Sequence, residues 1–311
     1  MKTVLVGFGD IAEKHLAVLS ELKCEVIGVI GRDYNKTLKK SKEFKIPNVY
    51  DKLEKIPFED CDFIMNLTSP DMVSKTLGKL IPYKKPIFTE KPVGFGIKEI
   101  ENNILENKKF QIPIMVGTNR RFYSIFHESL KFLKNNKKTI NSLEIDAPEN
   151  LKFLKMKKFN KNIKDNWMYA NSIHSVDLIR FFGGDVTEIN VKTDKKKLNF
   201  YAVGKCQNKI NFIYKSNWEK TTKWKITIKA DDINIIFSPL EFGKILINGK
   251  EEKINPSDVD LEFKPGFYSQ FQHFLEYVVQ KNMNKWPASN LDDHKKSLHL
   301  VEQIFMTNNN S

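Results

Sequence analysis

The first thirty residues most constrain the fold, because a strand, a turn with two glycines, a helix and a second strand follow one another directly. Lys2–Val6 is a short apolar strand, and Glu25–Ile30 is a second one. The turn residues between them are Gly7, Phe8, Gly9, Asp10, Ile11 and Ala12. In a βαβ unit that binds dinucleotides, Gly7 permits the tight turn, Gly9 lets the backbone approach a pyrophosphate, and Ala12 lets the helix pack closely on the strand. Free N–H groups at the helix N-terminus suit phosphates, so we predict that these six turn residues bind the cofactor.

The composition predicts a globular protein of two domains. The chain has 311 residues, of which 41% are hydrophobic and 29% are charged. No run approaches the ~18 apolar residues of a membrane helix. The apolar stretch from Val4 is broken by Asp10 and Glu13, unlike a signal peptide. Three widely spaced cysteines indicate neither a disulfide framework nor a metal site. They are Cys24, Cys61 and Cys206. We expect a cytoplasmic protein without bound metal or membrane contact.

The net charge of +13 comes almost entirely from lysines scattered along the chain. Their only dense runs are Lys155–Lys158 and Lys195–Lys197. This distribution favours a solvated lysine-rich surface over a nucleic-acid site, although a positive field can steer an anionic substrate or cofactor. Arginine suits fork-like recognition of phosphate and carboxylate, and it occurs only at positions 32, 120, 121 and 180.

Strand and helix patterns divide the chain at residue 118. In residues 1–118, six strands with intervening helices predict a parallel sheet covered on both faces. Beyond the first unit, the strands located are 62–67, 86–90 and 112–118, and the helices are 34–44, 71–80 and 97–107. In residues 119–311, strand patterns dominate and predict an α+β domain with an antiparallel sheet. These strands are 142–145, 187–193, 198–204, 209–214, 224–230, 233–237 and 244–247. Helices are predicted at 172–182, 266–280 and 291–305; the last can pack back on the first domain. We expect the tail 308–311 to be frayed.

The tripeptide Glu90-Lys91-Pro92 directly follows a predicted strand, where open α/β sheets place their ligands. A lysine here can titrate near neutrality if a nicotinamide ring and a substrate partly desolvate it. An ordinary surface lysine in a turn is the alternative, and taken alone the tripeptide favours it.

Two further motifs lie in the second half of the chain. Arg120 and Arg121 begin where the sixth strand ends, and they can hold a substrate phosphate or tie the domains together. His174 and Asp177 are three residues apart at the start of a helix and share one face. A histidine there suits proton transfer, while a packed or capped histidine is the commoner use.

In combination these motifs resemble the Gfo/Idh/MocA family of NAD(P)-dependent oxidoreductases over essentially the whole chain. The motifs, in order, are GFGDIA at 7–12 with His15, Thr68-Ser69-Pro70-Asp71, Glu90-Lys91-Pro92, Asn119-Arg120-Arg121-Phe122, and His174 with Asp177. The resemblance implies an α/β Rossmann domain followed by an α+β domain with a large open antiparallel sheet. It also implies assembly through that sheet into a homodimer or homotetramer.

The resemblance further implies residue roles. It gives Lys91 and His174 the catalytic role: both hydrogen-bond the reacting hydroxyl at the nicotinamide and move its proton while hydride passes to the cofactor. It also implies a cis peptide before Pro92. It adds Thr68, Ser69, Pro70, Glu90 and Lys91 to the expected cofactor contacts. The expected substrate contacts are Arg120, Arg121, Asn171, Tyr169 and Asp177, and Asp177 also supports the histidine's helix.

The chain departs from the family pattern beside the histidine. Many polyol-oxidising members carry an aspartate four residues before it and a glycine two before it, whereas this chain has Ala170 and Ser172. The usual histidine in the loop after Thr68 is also missing, and Ser74 stands at about that place. Specificity for myo-inositol or glucose is therefore not implied.

Other residues near these positions suit a sugar. Asn171 can bind a substrate hydroxyl or amide, and Tyr169 or Trp167 can stack on a sugar ring. Similar H-x-x-D segments without the aspartate occur among members tied to surface-polysaccharide sugars. We therefore expect a sugar substrate, activated or carrying an amino group.

The end of the second strand bears on the choice of cofactor. An NAD site usually has an acid there for the ribose 2′-OH, but this chain has Gly31 followed by Arg32 and Asp33. Gly31 leaves room for a 2′-phosphate and Arg32 can pair with it, which favours NADP. Asp33 keeps NAD open, because a shift of two residues restores an acid.

The sequence therefore predicts an NAD(P)-dependent oxidoreductase that transfers hydride at a hydroxyl or keto carbon of a sugar. Two alternatives stay open. One is a reductase of imines or double bonds on the same scaffold, with another proton donor. The other is a catalytically silent nucleotide-binding regulatory protein, against which Lys91 and His174 both argue.

Overall fold

The computed structural model describes residues 1–194, 198–282 and 285–306, and the chain divides into two units. The first unit comprises Met1–Asn119 and Glu262–Lys295. The second comprises Arg120–Leu261 and the described part of Lys296–Ser311. The lysine run 195–197 and the tail 308–311 lie outside the described residues.

The first unit contains the predicted six-stranded parallel sheet, with the spatial order β3-β2-β1-β4-β5-β6. Its strands are β1 (Lys2–Val6), β2 (Glu25–Ile30), β3 (Val49–Tyr50), β4 (Phe63–Asn66), β5 (Ile87–Thr89) and β6 (Ile114–Val116). Strands β1, β4, β5 and β6 are almost wholly buried, as expected for a sheet covered on both faces. The sequence analysis did not locate β3, because two residues are too few for a periodic pattern.

The second unit contains an eight-stranded sheet in the order β14-β13-β12-β11-β7-β10-β9-β8. Its strands are β7 (Ile140–Asp146), β8 (Val186–Asp194), β9 (Asn199–Cys206), β10 (Asn211–Asn217), β11 (Lys225–Ala230), β12 (Ile233–Phe237), β13 (Gly243–Ile247) and β14 (Lys250–Ile254). The α/β and α+β fold classes are confirmed, with one correction: β7 and β10 pair in parallel, so the sheet is mostly antiparallel. Edge strand β14 escaped prediction because its charged sequence KEEKI is largely exposed.

The α-helices are described next in chain order. They are α1 (Asp10–Glu21), α2 (Tyr34–Glu43), α3 (Val73–Leu80), α4 (Ile97–Phe110), α5 (Ser124–Asn135), α6 (Leu151–Met156), α7 (Lys161–Asp165), α8 (Ile173–Gly183), α9 (Asp258–Glu262), α10 (Phe267–His273) and α11 (Leu291–Met306). Short 3₁₀ turns cover Leu53–Lys55, Phe58–Asp60, Ile81–Tyr83 and Asn119–Phe122, and π-helical turns cover Met168–Ser172 and Phe274–Val279. Among the described residues, no helix has both the length and the apolar character needed to cross a membrane.

Residues 262–295 belong to the first unit, whereas the sequence analysis assigned everything after residue 118 to the second domain. Aromatic packing explains the difference. The rings of Phe271 and Phe274 lie 5.4–5.7 Å from those of Phe63 and Phe88 on the parallel sheet. Burial of four large rings supplies an apolar contact that residues so far apart in sequence do not reveal.

Candidate functional site

The two turn glycines differ in what surrounds them. Gly7 has a φ of +104°, and a Cβ at this position would lie 2.5 Å from the backbone carbon of Leu67. Its N–H donates to the carbonyl of Ile30 at 2.8 Å, which ties the turn to the end of β2. A Cβ on Gly9 would have no atom within 4 Å. Glycine is therefore required at position 7 by the backbone conformation and the close approach of Leu67. Gly9 instead leaves its backbone accessible at the N-terminus of α1.

A cavity of about 570 Å³ opens beside this turn, at the carboxyl ends of the first strands. Predicted cofactor residues contribute much of its lining: Gly7, Phe8, Gly9, Gly31, Arg32, Asp33, Thr68 and Ser69. Other predicted residues are not part of the lining, namely Asp10, Ile11, Ala12, Pro70, Glu90 and Lys91. Ala12 is fully buried, in keeping with its predicted packing role. The open glycine backbone and the helix N-terminus in this cavity fit a dinucleotide.

Thr68 is held at the cavity by a buried amide that sequence reasoning missed. Asn66, the last residue of β4, is fully buried and accepts from the hydroxyl of Thr68 at 2.8 Å. Its side-chain nitrogen donates to the carbonyl of Val73 and the hydroxyl of Thr89, both at 3.0 Å. The sequence signal for this role is that Asn66 is the last residue of an otherwise apolar strand.

The residues around the end of β2 leave no room for an acidic side chain at position 31. A Cβ on Gly31 would lie 2.1 Å from the hydroxyl oxygen of Thr37, which donates to the carbonyl of Asp33. The Asp33 carboxylate caps α2 by accepting from the Lys36 N–H at 3.0 Å. Asp33 thus has a structural task. Arg32 is exposed, and its guanidinium lies 3.4 Å from the hydroxyl of Ser69.

Four lysines share the cavity with Arg32, and sequence reasoning did not single them out. They are Lys36, Lys40, Lys75 and Lys79. The Lys40 ammonium lies 2.8 Å from Glu13 and donates to the carbonyls of Phe8 and Gly9, so it braces the turn from α2. In a chain this rich in lysine, only the fold shows which lysines gather at one cavity.

Lys91 follows directly on the end of β5 and is half-buried. The peptide between Lys91 and Pro92 is cis, which confirms that expectation. The preceding residue, Glu90, is 8% exposed, and its carboxylate lies 2.9 Å from the Nε2 atom of His15 on α1. Burial opposes ionisation of Glu90, but the hydrogen bond from His15 and the charges of His15 and Lys91 outweigh it, so its pKa is lowered.

His174 lies in the second unit, on the first turn of α8, and is half-exposed. The π-helical turn Met168–Ser172 runs directly into α8. Such turns occur frequently at functional sites. Asp177, three residues later, is buried.

The arginine and aspartate expected at the substrate are instead paired with each other. The guanidinium of Arg121 donates two hydrogen bonds of 2.7 Å to the carboxylate of Asp177, which also accepts from Ser297 at 2.6 Å. Both charged side chains are 5% exposed. This geometry supports the helix-holding role expected for Asp177. Because both charges are buried, we do not propose either residue as a substrate contact.

Arg120 is placed differently from its neighbour. Its guanidinium stacks 4.1 Å from the ring centre of Trp224, which suits a cation–π contact. Its Nη1 atom is buried and has no hydrogen-bond partner within the described part of the chain. The Nη1 atom of Arg120 can therefore donate a hydrogen bond to an anionic group.

A buried carboxylate that the sequence analysis missed, Glu149, holds the turn before His174. It accepts from Trp167 Nε1 at 2.9 Å, from Asn171 Nδ2 at 2.9 and 3.0 Å, and from Ser172 Oγ at 2.8 Å. Burial raises its pKa despite these donors. Asn171 thus has an internal partner. The only sequence signal was an acid just beyond an apolar strand.

Tyr169 does not offer a face to a sugar. It is 2% exposed, and its hydroxyl lies 3.2 Å from the carboxylate of Glu302. Ser74 is also buried, where its hydroxyl donates to the carbonyl of Glu99. Within the described residues, no group of three or more His, Cys, Asp or Glu side chains is arranged to hold a metal ion.

Residues 1–118 match a family model described as the oxidoreductase family with an NAD-binding Rossmann fold. Two curated relatives match part of the chain. An uncharacterized oxidoreductase of Bacillus subtilis is 28% identical over 61% of this chain and 56% of its own. A myo-inositol 2-dehydrogenase of Thermotoga maritima is 23% identical over 60% of this chain and 56% of its own. The matches thus span little more than half the length of these relatives.

Solved structures share the fold over nearly the whole chain. An aldose-aldose oxidoreductase from Caulobacter crescentus, complexed with glycerol, superposes with a TM-score of 0.81 at 16% identity, over 98% of this chain and 96% of that one. A UDP-N-acetylglucosamine 3-dehydrogenase from Acidithiobacillus ferrooxidans gives 0.76 at 13% identity, over 98% and 97%. At such low identity these likenesses establish the fold alone.

Proposed function

Because residues 1–118 belong to the NAD-binding Rossmann domain of the Gfo/Idh/MocA oxidoreductase family, we propose that this protein is an NAD(P)-dependent oxidoreductase acting on a hydroxyl or keto carbon of a sugar. The observation that carries the proposal is the cavity beside the glycine turn. It leaves open backbone at Gly9 and lies at the carboxyl ends of β1, β2 and β4.

The bound cofactor supplies the hydride chemistry, and the protein's own groups handle the proton. We assign Lys91 and His174 to the substrate hydroxyl, which they hydrogen-bond and from which they accept or return the proton. The half-buried position of each side chain suits this task, since a reacting group must reach substrate and still be partly desolvated.

The proposed substrate is an activated or amino sugar of the kind used for surface polysaccharides. Support comes from the kinds of relatives found, one a myo-inositol 2-dehydrogenase and one a dehydrogenase of a UDP-linked amino sugar. Arg120, with a buried donor that no described group accepts from, suits an anionic part of such a substrate. The net charge of +13 favours the approach of an anion.

For the cofactor we propose NADP(H) over NAD(H). A 2′-phosphate needs positive charge near the end of β2 and no acid competing for the ribose. The Thr37 side chain fills the space beside Gly31, so the room expected there for a phosphate is absent, but it also excludes an acidic side chain, and Arg32 stands exposed at the cavity. The four cavity lysines add to the positive charge, while Asp33 is occupied as a helix cap.

The proposal also includes assembly into a homodimer or homotetramer through the second unit's sheet, on which Val203 and Ile213 are neighbouring half-exposed apolar residues. We propose the cytoplasm as its location, which three buried free thiols favour.

The decisive test replaces Lys91 with alanine. We expect Lys91→Ala to bind NADPH as wild type does but to lose turnover by several orders of magnitude, because the reacting oxygen then loses a group that hydrogen-bonds it and exchanges its proton. The measurement is NADPH fluorescence titration beside steady-state turnover with a panel of sugar nucleotides and amino sugars.

Lys98→Ala, an exposed lysine on α4, is the matched control and should behave as wild type. Near-wild-type activity in Lys91→Ala would contradict the assignment and favour the imine or double-bond reductase. Tight cofactor binding without any product would favour the silent regulatory protein.

A further inference from the structure

A buried hydrogen bond connects α1, the helix that follows the glycine turn, to the residue beside the proposed catalytic lysine. His15 on α1 is 1% exposed, and its Nε2 atom lies 2.9 Å from Oε1 of Glu90. The imidazole packs between the rings of Phe88, at 5.3 Å, and Phe267, at 4.7 Å. This aromatic packing leaves the imidazole few alternative positions.

The second carboxylate oxygen of Glu90 acts on its own loop. Oε2 accepts from the backbone N–H of Lys91 at 3.3 Å. One carboxylate therefore fixes α1 with one oxygen and the backbone of Lys91 with the other. We propose that His15 and Glu90 are a positioning pair for Lys91: they set its backbone relative to the cofactor helix, and the Glu90 charge holds its ammonium form. This inference rests on the proposed function.

The charge state of the pair follows from its surroundings. Burial disfavours the carboxylate, but His15, Lys91 and Lys264 stand around it and lower its pKa, so Glu90 is ionised at neutral pH. An ionised carboxylate can only accept hydrogen bonds, so His15 Nε2 carries the proton. Coulomb interaction is mutual, and the carboxylate that Lys91 stabilises must stabilise the Lys91 ammonium in return.

A purely structural account explains the pair less well. Buried ion pairs are costly to desolvate, and apolar residues of similar volume often replace them without loss of stability. The surrounding site, with Phe88 and Phe267 against the imidazole, is already apolar. A buried carboxylate held by a histidine in such a place is better explained by its effect on the neighbouring lysine.

The test replaces Glu90 with glutamine, which keeps the shape and removes the charge. The pH midpoint of Lys91 reactivity is measured in the cofactor-free protein by competitive acetylation and peptide mass spectrometry. We expect Glu90→Gln to lower this midpoint by about 1 pH unit, since an opposite charge has been removed. Turnover should fall about tenfold to a hundredfold with NADPH affinity little changed, as for a misplaced catalytic group.

Two further variants separate positioning from folding. Glu99→Gln is the control, because the Glu99 carboxylate also accepts from this loop, at the Phe95 N–H, and its loss should not move the Lys91 midpoint. His15→Gln retains a donor and should keep more turnover than His15→Phe, which keeps only the volume.

The acetylation measurement does not depend on turnover. It therefore tests the effect of Glu90 on Lys91 even if no sugar is a substrate. An unchanged Lys91 midpoint in Glu90→Gln, or an equal shift in Glu99→Gln, overturns the inference. Failure of wild type to turn over any sugar counts against the proposed function instead.

Discussion

At the scale of single residues, the proposed preference for NADP(H) depends on the three residues that follow β2, Gly31, Arg32 and Asp33. An acid at position 31 cannot be accommodated while Thr37 stands 2.1 Å from the Cβ that it would need. Asp33, the nearest acid, already caps α2. Arg32 is the exposed cationic side chain of this tripeptide, and its guanidinium geometry matches a phosphate.

Replacement of Arg32 by alanine should therefore separate the two cofactors. We expect Arg32→Ala to weaken NADPH binding on the order of tenfold to a hundredfold, the value of one or two charge-assisted hydrogen bonds, and to leave NADH binding within about twofold. Fluorescence titration with both cofactors measures this. Lys39→Ala, an exposed neighbour on α2 outside the cavity lining, should change neither affinity. Equal losses for NADPH and NADH would count against a 2′-phosphate contact.

At the scale of elements, the helix that carries His174 is fixed at two points by buried carboxylates. Asp177 fixes its first half to Arg121 and Ser297. Glu149, from the segment after β7, gathers the donors of the π-helical turn before it. Ala170 stands inside the turn, and a carboxylate reaches the turn from another element. The turn is thereby held in place without an acid of its own.

This arrangement predicts a pH dependence of stability. Because burial raises the pKa of Glu149 in the folded state above the ordinary glutamate value of 4.5, the folded protein binds more protons than the unfolded chain as this group titrates. Stability from this group is therefore full below pH 4.5 and falls as pH rises through the folded pKa. We expect Glu149→Gln to remove this decline, whose steepest slope for one proton is about 1.4 kcal/mol per pH unit.

Urea denaturation between about pH 4 and 8 measures the effect as the difference in unfolding free energy between variant and wild type. Glu144→Gln removes a carboxylate of β7 that forms a half-exposed ion pair with Lys215, and it should leave the slope in place. A difference between Glu149→Gln and wild type that stays constant across this pH range would contradict the argument.

At the scale of the whole molecule, local patterns predicted the fold and the glycine turn well. Strand β1 and the turn after it depend on neighbours in sequence, so residues 1–30 alone specify them. Partners far apart in sequence could not be foreseen in this way. Arg121 and Asp177 are 56 residues apart, and His15 and Glu90 are 75 apart. The sequence identified these residues as candidates for a functional site. Only the folded structure shows which charged groups pair with one another and which can contact a ligand.

The second unit's sheet carries half-exposed apolar residues on the face opposite its core. Val203 and Ile213 lie directly beside each other across β9 and β10, whereas Ile236 is separated from Ile213 by Thr227 and Glu144. In each of these strands the adjacent residues point to the other face, and most of them are buried in the core. The neighbouring β-branched side chains of Val203 and Ile213 suit burial against a second copy of the sheet.

We therefore expect wild type to sediment as a dimer or tetramer and Ile213→Lys as a monomer. A lysine at position 213 has to be desolvated in the interface even with Glu144 beside it, and this costs several kcal/mol, enough to dissociate a micromolar complex. Circular dichroism should show the variant folded, because Ile213 is outside the core. Lys253→Ala, on the exposed edge strand β14, keeps Val203 and Ile213 and should sediment as wild type does. A monomeric wild type, or an Ile213→Lys variant that still assembles, would rule out this face as the interface.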